Sequence, residues 1–364
     1  MRQYIIYTSP CLCYRLFINN LNIYFMLQFK KYSSIENHFD KKFMEHVKLE
    51  MPGDLLYVVQ EKVHGTNVSF LCDGKEVKLA KRTAIIADDE NFYEFAELVD
   101  TYKSKVINLF NEVKVIYPEI TSFAIFGEMF GGLYPHHLVK KNNHLTAIQK
   151  GVFYTPNHDF YAFDILIHNE LEDKYLAVDE VNNLFEKVGF FYAKTLFKGT
   201  LNECLNYPND FQSKISGWLG LPQIEDNICE GVVIRPTVPM FFRNGKRVII
   251  KSKNDKFSEK KTTKKSVVKL EESTLYSDML TNILCELESF VTENRLNNVA
   301  SHIGEVSMPR DFGKLIGLMS KDVFDDFMKQ FENDYNALDK EEQKVLTKKI
   351  SKWVSALVKK VYIG

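Results

Sequence analysis

Up to about residue 255 apolar residues come in short unbroken runs or at every second position, and beyond about residue 270 they come at every third and fourth. The run Leu55-Leu56-Tyr57-Val58-Val59 predicts a buried strand, as does Phe123-Ala124-Ile125-Phe126. Residues 77–83, 160–167, 230–236 and 248–254 also read as strands. Phe92, Phe95, Leu98, Val99 and Tyr102 recur at helical spacing, which predicts a helix over 91–116 with that stripe in the core. Residues 178–222 read as helices and turns, an insert without legible chemistry. Leu280, Ile283, Leu284, Leu287, Phe290 and Val291 share one helical face, as do Leu346, Ile350, Trp353, Val354 and Leu357, so the chain is expected to end in a helical domain.

Charged residues stand where several of the strands end. Lys62 follows the first, with His64 two positions on and Gly65 able to turn or to let a ligand approach closely. Such a lysine is either a solvated strand end or a nucleophile, and its nitrogen attacking the α-phosphate of a nucleotide would give a lysyl-nucleotide phosphoramide. Lys81 and Arg82 close the next strand. Glu128 follows a buried run and precedes a glycine turn, a place where a carboxylate is costly unless paired or bound. Tyr161 and Phe163 share a strand face, either as plain core or as a wall on which a base could stack. Lys251 and Lys253 share a face suited to phosphate oxygens. Aimed at one site, they would also depress a third lysine from its usual value of about 10.4. From Arg243 to Lys269, Lys and Arg outnumber Asp and Glu eleven to two, as in a solvated linker or a stripe that tracks nucleic-acid phosphates.

Composition narrows the class. With 364 residues, 45% hydrophobic and 26% charged, the chain can bury a large core and make two domains, and it is not of a disordered type. The net charge of -1 leaves the charge of any one face open. Cys11, Cys13, Cys72, Cys204, Cys229 and Cys285 lack paired spacing and nearby histidines, so they read as reduced intracellular thiols. His136, His137 and His144 lack the spacing of a helical metal site, and no glycine-rich P-loop occurs. No apolar run reaches the roughly 18 residues of a membrane span, and no signal peptide is legible. Residues 1–25 contain Arg2 and Arg15 and no acid, which fits either a transit peptide or an upstream start ahead of Met26.

Lys62-Val63-His64-Gly65-Thr66-Asn67 resembles motif I of the RNA ligase 2 family, nick-sealing phage ligases and trypanosome RNA-editing ligases within the covalent nucleotidyltransferase superfamily. DNA ligases and capping enzymes of that superfamily typically carry Asp-Gly where this chain has His64-Gly65. Residues 123–132, 160–167, 230–236 and 248–254 resemble the family's motifs III, IIIa, IV and V, and 294–299 and 311–318 resemble the phage C-terminal domain. Tyr134-Pro135-His136-His137 looks more like the editing ligases.

The resemblance implies Lys62 as nucleophile, Glu61 reading adenine, His64 and Asn67 arranging the phosphates and the nick, and Arg82 and Glu128 on the ribose. It further implies Phe163 stacking on adenine, Glu230 serving a divalent metal, and Lys251 and Lys253 on phosphate. Arg235, where many phage-type relatives have lysine, would contact phosphate through a planar fork. The expected fold is α+β: an antiparallel-sheet, ATP-grasp-like adenylyltransferase domain over 26–260 and an all-helical domain over 270–364, with 1–25 an extension. The expected activity is ATP-dependent joining of 3′-hydroxyl and 5′-phosphate RNA ends at nicks in duplex RNA through lysyl-AMP, with magnesium or manganese. The protein is expected to act as an intracellular monomer, in the cytoplasm or in an organelle addressed by residues 1–25. The alternatives are a guanylyltransferase or DNA-joining enzyme with the same lysine chemistry, and an inactive RNA-binding module. Because every implied nucleotide contact precedes residue 270, the helical domain is expected to serve RNA alone.

Overall fold

Two sheets lie face to face with helices outside them. The computed structural model describes residues 27–259 and 277–364. In chain order the elements are β1 (Glu36–Asn37), α1 (Lys41–Glu50), β2 (Tyr57–Glu61), β3 (Thr66–Cys72), β4 (Val77–Lys81), β5 (Ala84–Ile85), α2 (Phe95–Ile116), β6 (Ser122–Gly131), β7 (His158–His168), β8 (Asp173–Tyr175), α3 (Val178–Val188), β9 (Thr195–Gly199), α4 (Leu201–Leu205), α5 (Ile215–Trp218), β10 (Gly231–Pro236) and β11 (Ile250–Lys253). A single 3-10 turn, Asp255–Phe257, follows, and then α6 (Asp278–Ser289), α7 (Glu293–Ser301), α8 (Phe312–Ala337) and α9 (Lys340–Tyr362).

One sheet has the order β1-β11-β10-β2-β9 and the other β5-β4-β3-β6-β7-β8. Pairing is antiparallel throughout except between β1 and β11, which run parallel. Alternation along each strand sorts side chains between layers. Tyr57, Val59, Val232, Ile234 and Ile250 pack with Phe43, Met44 and Val47 of α1. Phe70, Phe123, Ile125, Ile165 and Ile167 pack against α2 and α3. Leu71, Ala124, Phe126, Leu166 and Ile249 point the other way and fill the space between the sheets. This burial on both faces is why the run Phe123-Ala124-Ile125-Phe126 is unbroken.

The fold is thus the α+β class expected, with a helical region after it. Three details differ from the sequence reading. Residues 178–222 are more than helix and turn, because β9 forms an edge of the first sheet. Helix α2 starts at Phe95 rather than 91: Tyr93 and Glu94 take left-handed backbone (φ 49° and 48°), so Phe92 enters the core ahead of the helix. Residues 1–25 and the expected boundary between 260 and 270 lie outside the described residues.

In the helical domain the expected stripe from Leu280 to Val291 meets Leu315, Met319, Val323 and Phe327 of α8 and Leu346, Ile350, Val354 and Val358 of α9. Arg295 is buried there, its guanidinium held by Asp322 and by Asp326 at 2.9 Å, and its Nε donating to the Phe290 carbonyl at 3.0 Å. The domain docks on the sheets: Thr66 Oγ1 donates to the Ser301 carbonyl at 2.9 Å, and Asn294 Nδ2 donates to the Lys256 carbonyl at 2.9 Å.

Candidate active site

β2 ends at Glu61 in the first sheet and β3 begins at Thr66 in the second, so motif I crosses the gap between them. The crossing is tight, since a Cβ on Gly65 would collide with the Met129 carbonyl and with Cγ of Glu128. Gly231 is similarly required: its φ is 141°, and a Cβ there would meet the Ser252 carbonyl oxygen. A cavity of about 510 Å³ opens at this crossing, lined by Glu61, Lys62, His64, Asn67, Arg82, Glu128, Phe163, Arg235, Lys251 and Lys253. All the site residues read from sequence except Glu230 therefore face one space. Glu230 lies fully buried directly behind it.

Glu230 organises the cations. Its Oε2 is 2.7 Å from Lys62 Nζ and 3.4 Å from His64 Nδ1, and its Oε1 is 2.9 Å from Lys253 Nζ. Lys62 and His64 do not share a regular strand face as expected, because β2 has already ended, yet both reach the same carboxylate oxygen. Burial alone would raise the Glu230 carboxyl; Lys253, Lys62 and His64 together hold it well below the usual carboxylate range. Burial keeps the His64 imidazole below its ordinary value in spite of Glu230.

Lys251 and Lys253 emerge on one face of β11, as the period-two reading requires, but they do not crowd Lys62 alone. Glu230 separates Lys253 from Lys62, and Glu259 lies 2.5 Å from Lys253 Nζ and 3.8 Å from Lys251 Nζ. Burial lowers Lys251 against the pull of Glu259, whereas Glu230 and Glu259 overcome burial and raise Lys253. Two carboxylates, Glu230 and Glu259, therefore stand among the three lysines.

Phe163 reaches the cavity through a bulge. Opposite Phe126 and Gly127 of β6, β7 offers Asp164 and Ala162, which leaves Phe163 as the extra residue and turns it into the cavity. Arg235 then holds the backbone of that bulge. Its Nη2 donates to the Phe163 carbonyl at 2.6 Å, its Nε to Gln60 Oε1 at 3.0 Å, and its Nη1 pairs with Asp164 at 3.0 Å. These three contacts occupy part of the five-donor fork of a buried guanidinium that also lines the cavity, so any phosphate contact of the kind expected of Arg235 would use the donors that remain. Arg247, read from sequence as part of a phosphate-tracking stripe, is likewise buried, bonded to Asp164 at 2.5 Å and stacked over Tyr175. Lys246 of the same block pairs with Glu36, and Lys260, Lys261, Lys264, Lys265 and Lys269 lie outside the described residues.

Arg82 sits in the turn after β4 near Glu128. Burial pushes the Glu128 carboxyl up to about 7, with Glu230 adding to the effect and Lys62 and Arg82 opposing it. Asn67 Nδ2 donates to the Gly127 carbonyl at 3.2 Å, which fixes its amide at the cavity edge. Glu61 accepts from Ser213 Oγ at 2.6 Å and from the Lys214 N–H at 3.0 Å.

Several of these partners carry no mark in the sequence. Ser213 falls in a stretch that reads as empty of chemistry, and Glu259 reads only as a minority acid in a basic block. Asn298, Ser301, His302, Asp322, Asp326 and Lys329 of the helical domain line the same cavity, although every implied nucleotide contact read from sequence precedes residue 270. Nothing local in the sequence marks them, because their approach depends on how α7 and α8 dock.

No group of three His, Cys, Asp or Glu side chains among the described residues could by itself cage a metal. Glu128 and Glu230, which share Lys62 as a neighbour, do fit a hard divalent ion of the magnesium type, which takes one or two carboxylates and completes its shell with water and substrate phosphates. In that role Glu230 would exchange an ammonium for the ion.

No helix among the described residues is long and apolar enough to cross a membrane. Residues 56–253 match the family model described as RNA ligase, and residues 274–356 match that of the T4 RNA ligase 2 C-terminal region. Mitochondrial RNA-editing ligase 1 of Trypanosoma brucei brucei is 29% identical over 76% of this chain and 71% of its own, and the protein of strain 927/4 GUTat10.1 is 30% identical over the same shares. Among solved structures, a Naegleria gruberi RNA ligase mutant without ligand aligns at a TM-score of 0.39 and 14% identity, covering 63% of this chain and 57% of that one. A second mutant, with ATP and Mn, aligns at 0.40 and 12%, covering 63% and 58%. The chain thus spans under two thirds of the Naegleria chains it matches. With more than half its length inside one family model and its helical end inside the second, this chain belongs to the RNA ligase family, on the RNA ligase 2 branch.

Proposed function

We propose that the chain is an ATP-dependent ligase that joins a 3′-hydroxyl to a 5′-phosphate at nicks in duplex RNA. The observation that carries this reading is Lys62 Nζ, on the cavity wall and 2.7 Å from a carboxylate shared with Lys253 and His64. Lys62 nitrogen attacks the α-phosphorus of ATP and pyrophosphate leaves. The 5′-phosphate oxygen of RNA then takes the AMP and frees Lys62, and the 3′-hydroxyl finally displaces AMP to make the phosphodiester. Each step is phosphoryl transfer, in which position and charge neutralisation do most of the catalysis.

The chain's own residues take distinct parts. Lys62 must shed a proton before attack, and the imidazole of His64 shares its carboxylate partner. Phe163 offers a face to adenine, Glu61 an acceptor to its amino group, and Glu128 with Arg82 a polar edge to the ribose. Lys251 and Lys253 meet phosphate oxygens, and Asn67 borders them. Glu230, with Glu128, would hold a magnesium or manganese ion, whose charge would offset that of the transferring phosphate. The adenylyltransferase domain spans about 26–260 and the helical domain about 270–364. We place the enzyme inside the cell as a monomer; its trypanosome relative is mitochondrial.

Labelled ATP with magnesium and no RNA should give an acid-labile adduct that Lys62→Ala abolishes, and Glu230→Gln should reduce it severely at saturating magnesium. Nicked duplex RNA should then be sealed in preference to nicked DNA. An adduct formed from GTP rather than ATP would favour the guanylyltransferase alternative, and RNA binding without any adduct the inert one.

A further inference from the structure

Glu61 is a buried carboxyl that lines the cavity. It is 1% exposed, and among the described residues no lysine or arginine forms an ion pair with it. Two neutral donors hold it instead, Ser213 Oγ on Oε1 and the Lys214 backbone N–H on Oε2. A carboxylate has about four acceptor sites, so two remain for a ligand in the cavity that Glu61 lines. An acceptor pair held this way selects a ligand that donates.

Ser213 has little freedom to do otherwise. Its hydroxyl oxygen accepts the Ile215 N–H at 3.4 Å, which leaves its proton for Glu61. Its own N–H donates to the Asn227 carbonyl at 2.9 Å, and the Asn227 side chain is clamped by both the N–H and the carbonyl of Phe153. Ser213 is buried and touches Glu61, while the cavity-lining residues do not include it.

We propose that Ser213 is a positioning residue that sets nucleotide choice: by donating to Glu61 it keeps that carboxylate a pure acceptor, which welcomes a 6-amino purine and repels a 6-oxo purine. The inference rests on the reading of Glu61 as the group that meets adenine. The physical logic is that the N6 amino group donates to a carboxylate, whereas O6 of hypoxanthine would set two acceptors against each other. A protonated Glu61 would reverse this, because its O–H could donate to O6. Burial pushes Glu61 up to about 7, and Ser213 is the first of the groups that pull it back. Without the serine hydroxyl, the acid form should persist to higher pH.

The test is adduct formation from ATP and from ITP, compared as kcat/KM between pH 6 and 8.5. The wild-type ATP-to-ITP ratio should be high at pH 8 and fall below about 7. In Ser213→Ala the fall should begin about one pH unit higher, which lowers the ratio near pH 7 about tenfold. Ser213→Thr, which keeps the hydroxyl, should restore the wild-type profile, and Ser213→Cys, a weak donor of similar size, should behave like alanine should the alanine variant fold poorly. A ratio that follows the wild-type profile in the Ala and Cys variants, while Glu61→Gln collapses it, would overturn the role of Ser213 and leave that of Glu61 standing. A ratio unchanged in Glu61→Gln would instead remove Glu61 from the base site and the inference with it.

Discussion

Glu259 lies 2.5 Å from Lys253, and the same Oε1 accepts from Asn298 Nδ2 of the helical domain at 2.6 Å. One carboxylate therefore ties a cavity-lining lysine to α7. Burial would raise Glu259, but Lys251, Lys253 and Arg295 hold it well below the usual range, so it is a full negative charge seated among the cations meant for phosphate. Phosphates of ATP and Glu259 should compete for Lys251 and Lys253, and loading ATP should loosen the hold of α7.

The competition can be measured as binding. In a Lys62→Ala background, which blocks the adduct, Glu259→Gln should bind ATP about tenfold more tightly, since a hydrogen bond to a charged group contributes roughly 1.5–3 kcal/mol. The difference should shrink with salt. Weaker ATP binding by calorimetry would mean that Glu259 supports the lysines rather than competing for them.

A second prediction concerns Glu128 and pH. Its folded pKa, about 7, stands above the ordinary value of 4.5, so the folded state holds this proton more firmly than the unfolded one. Stability from this group is full below about 4.5 and is lost as pH rises towards 7, by an upper figure of roughly 3 kcal/mol. Glu128→Gln cannot titrate and should escape the loss. Its melting temperature relative to wild type should rise between pH 4.5 and pH 8, while adduct formation falls because an ionised acceptor for the ribose is gone. A melting difference that stays constant across that range would show that the apo protein keeps Glu128 ionised throughout.

Arg235 gives a third. Its contacts with Phe163, Gln60 and Asp164 make it a support for the base wall, and a lysine can satisfy only part of that fork. Arg235→Lys should weaken binding of adenosine and of ATP by a similar factor, about tenfold. If ATP weakens and adenosine does not, Arg235 is a phosphate contact after all. Asp164→Asn should be far worse, about 3–5 kcal/mol in stability, because Arg235 and Arg247 would then share a buried site without their counter-charge.

The strands and the charged side chains gathered at the cavity are legible in the sequence because a charge at the end of an apolar run is costly and must be compensated, as at Lys62, Glu128 and Glu230. Motif resemblance supplies roles that spacing alone cannot give. Ser213 stays hidden because a serine in a polar loop carries no signal, and its role exists only where the chain returns to Glu61 more than a hundred residues later. The bulge at Phe163 is invisible for a related reason, since the extra residue is defined by the partner strand and not by its own. The burial of Arg235 and Arg247 is hidden because sequence shows charge but not surroundings, and Asp164, which pairs with both, reads in sequence only as the neighbour of Phe163.

The last prediction asks what the helical domain does for each step. Among the described residues, the side chains tied to Lys62, namely Glu230 and through it His64 and Lys253, all precede residue 260. Yet Asn298, Ser301 and His302 line the cavity, and Thr66 of motif I donates to the Ser301 carbonyl. A protein ending at Lys265 should therefore still form the AMP adduct, with its ATP dependence shifted because that wall and the Asn298 bond to Glu259 are gone. It should bind nicked RNA weakly and seal it poorly, because RNA held only by the sheets meets fewer cations along its backbone. Salt separates the two effects: for every RNA phosphate that the shortened protein no longer neutralises, the slope of log affinity against log salt should flatten by roughly 0.9 on a B-form DNA scale. Sealing by the truncated protein that equals the full chain at the same RNA concentration would assign the helical domain to the nucleotide step and leave the RNA on the sheets.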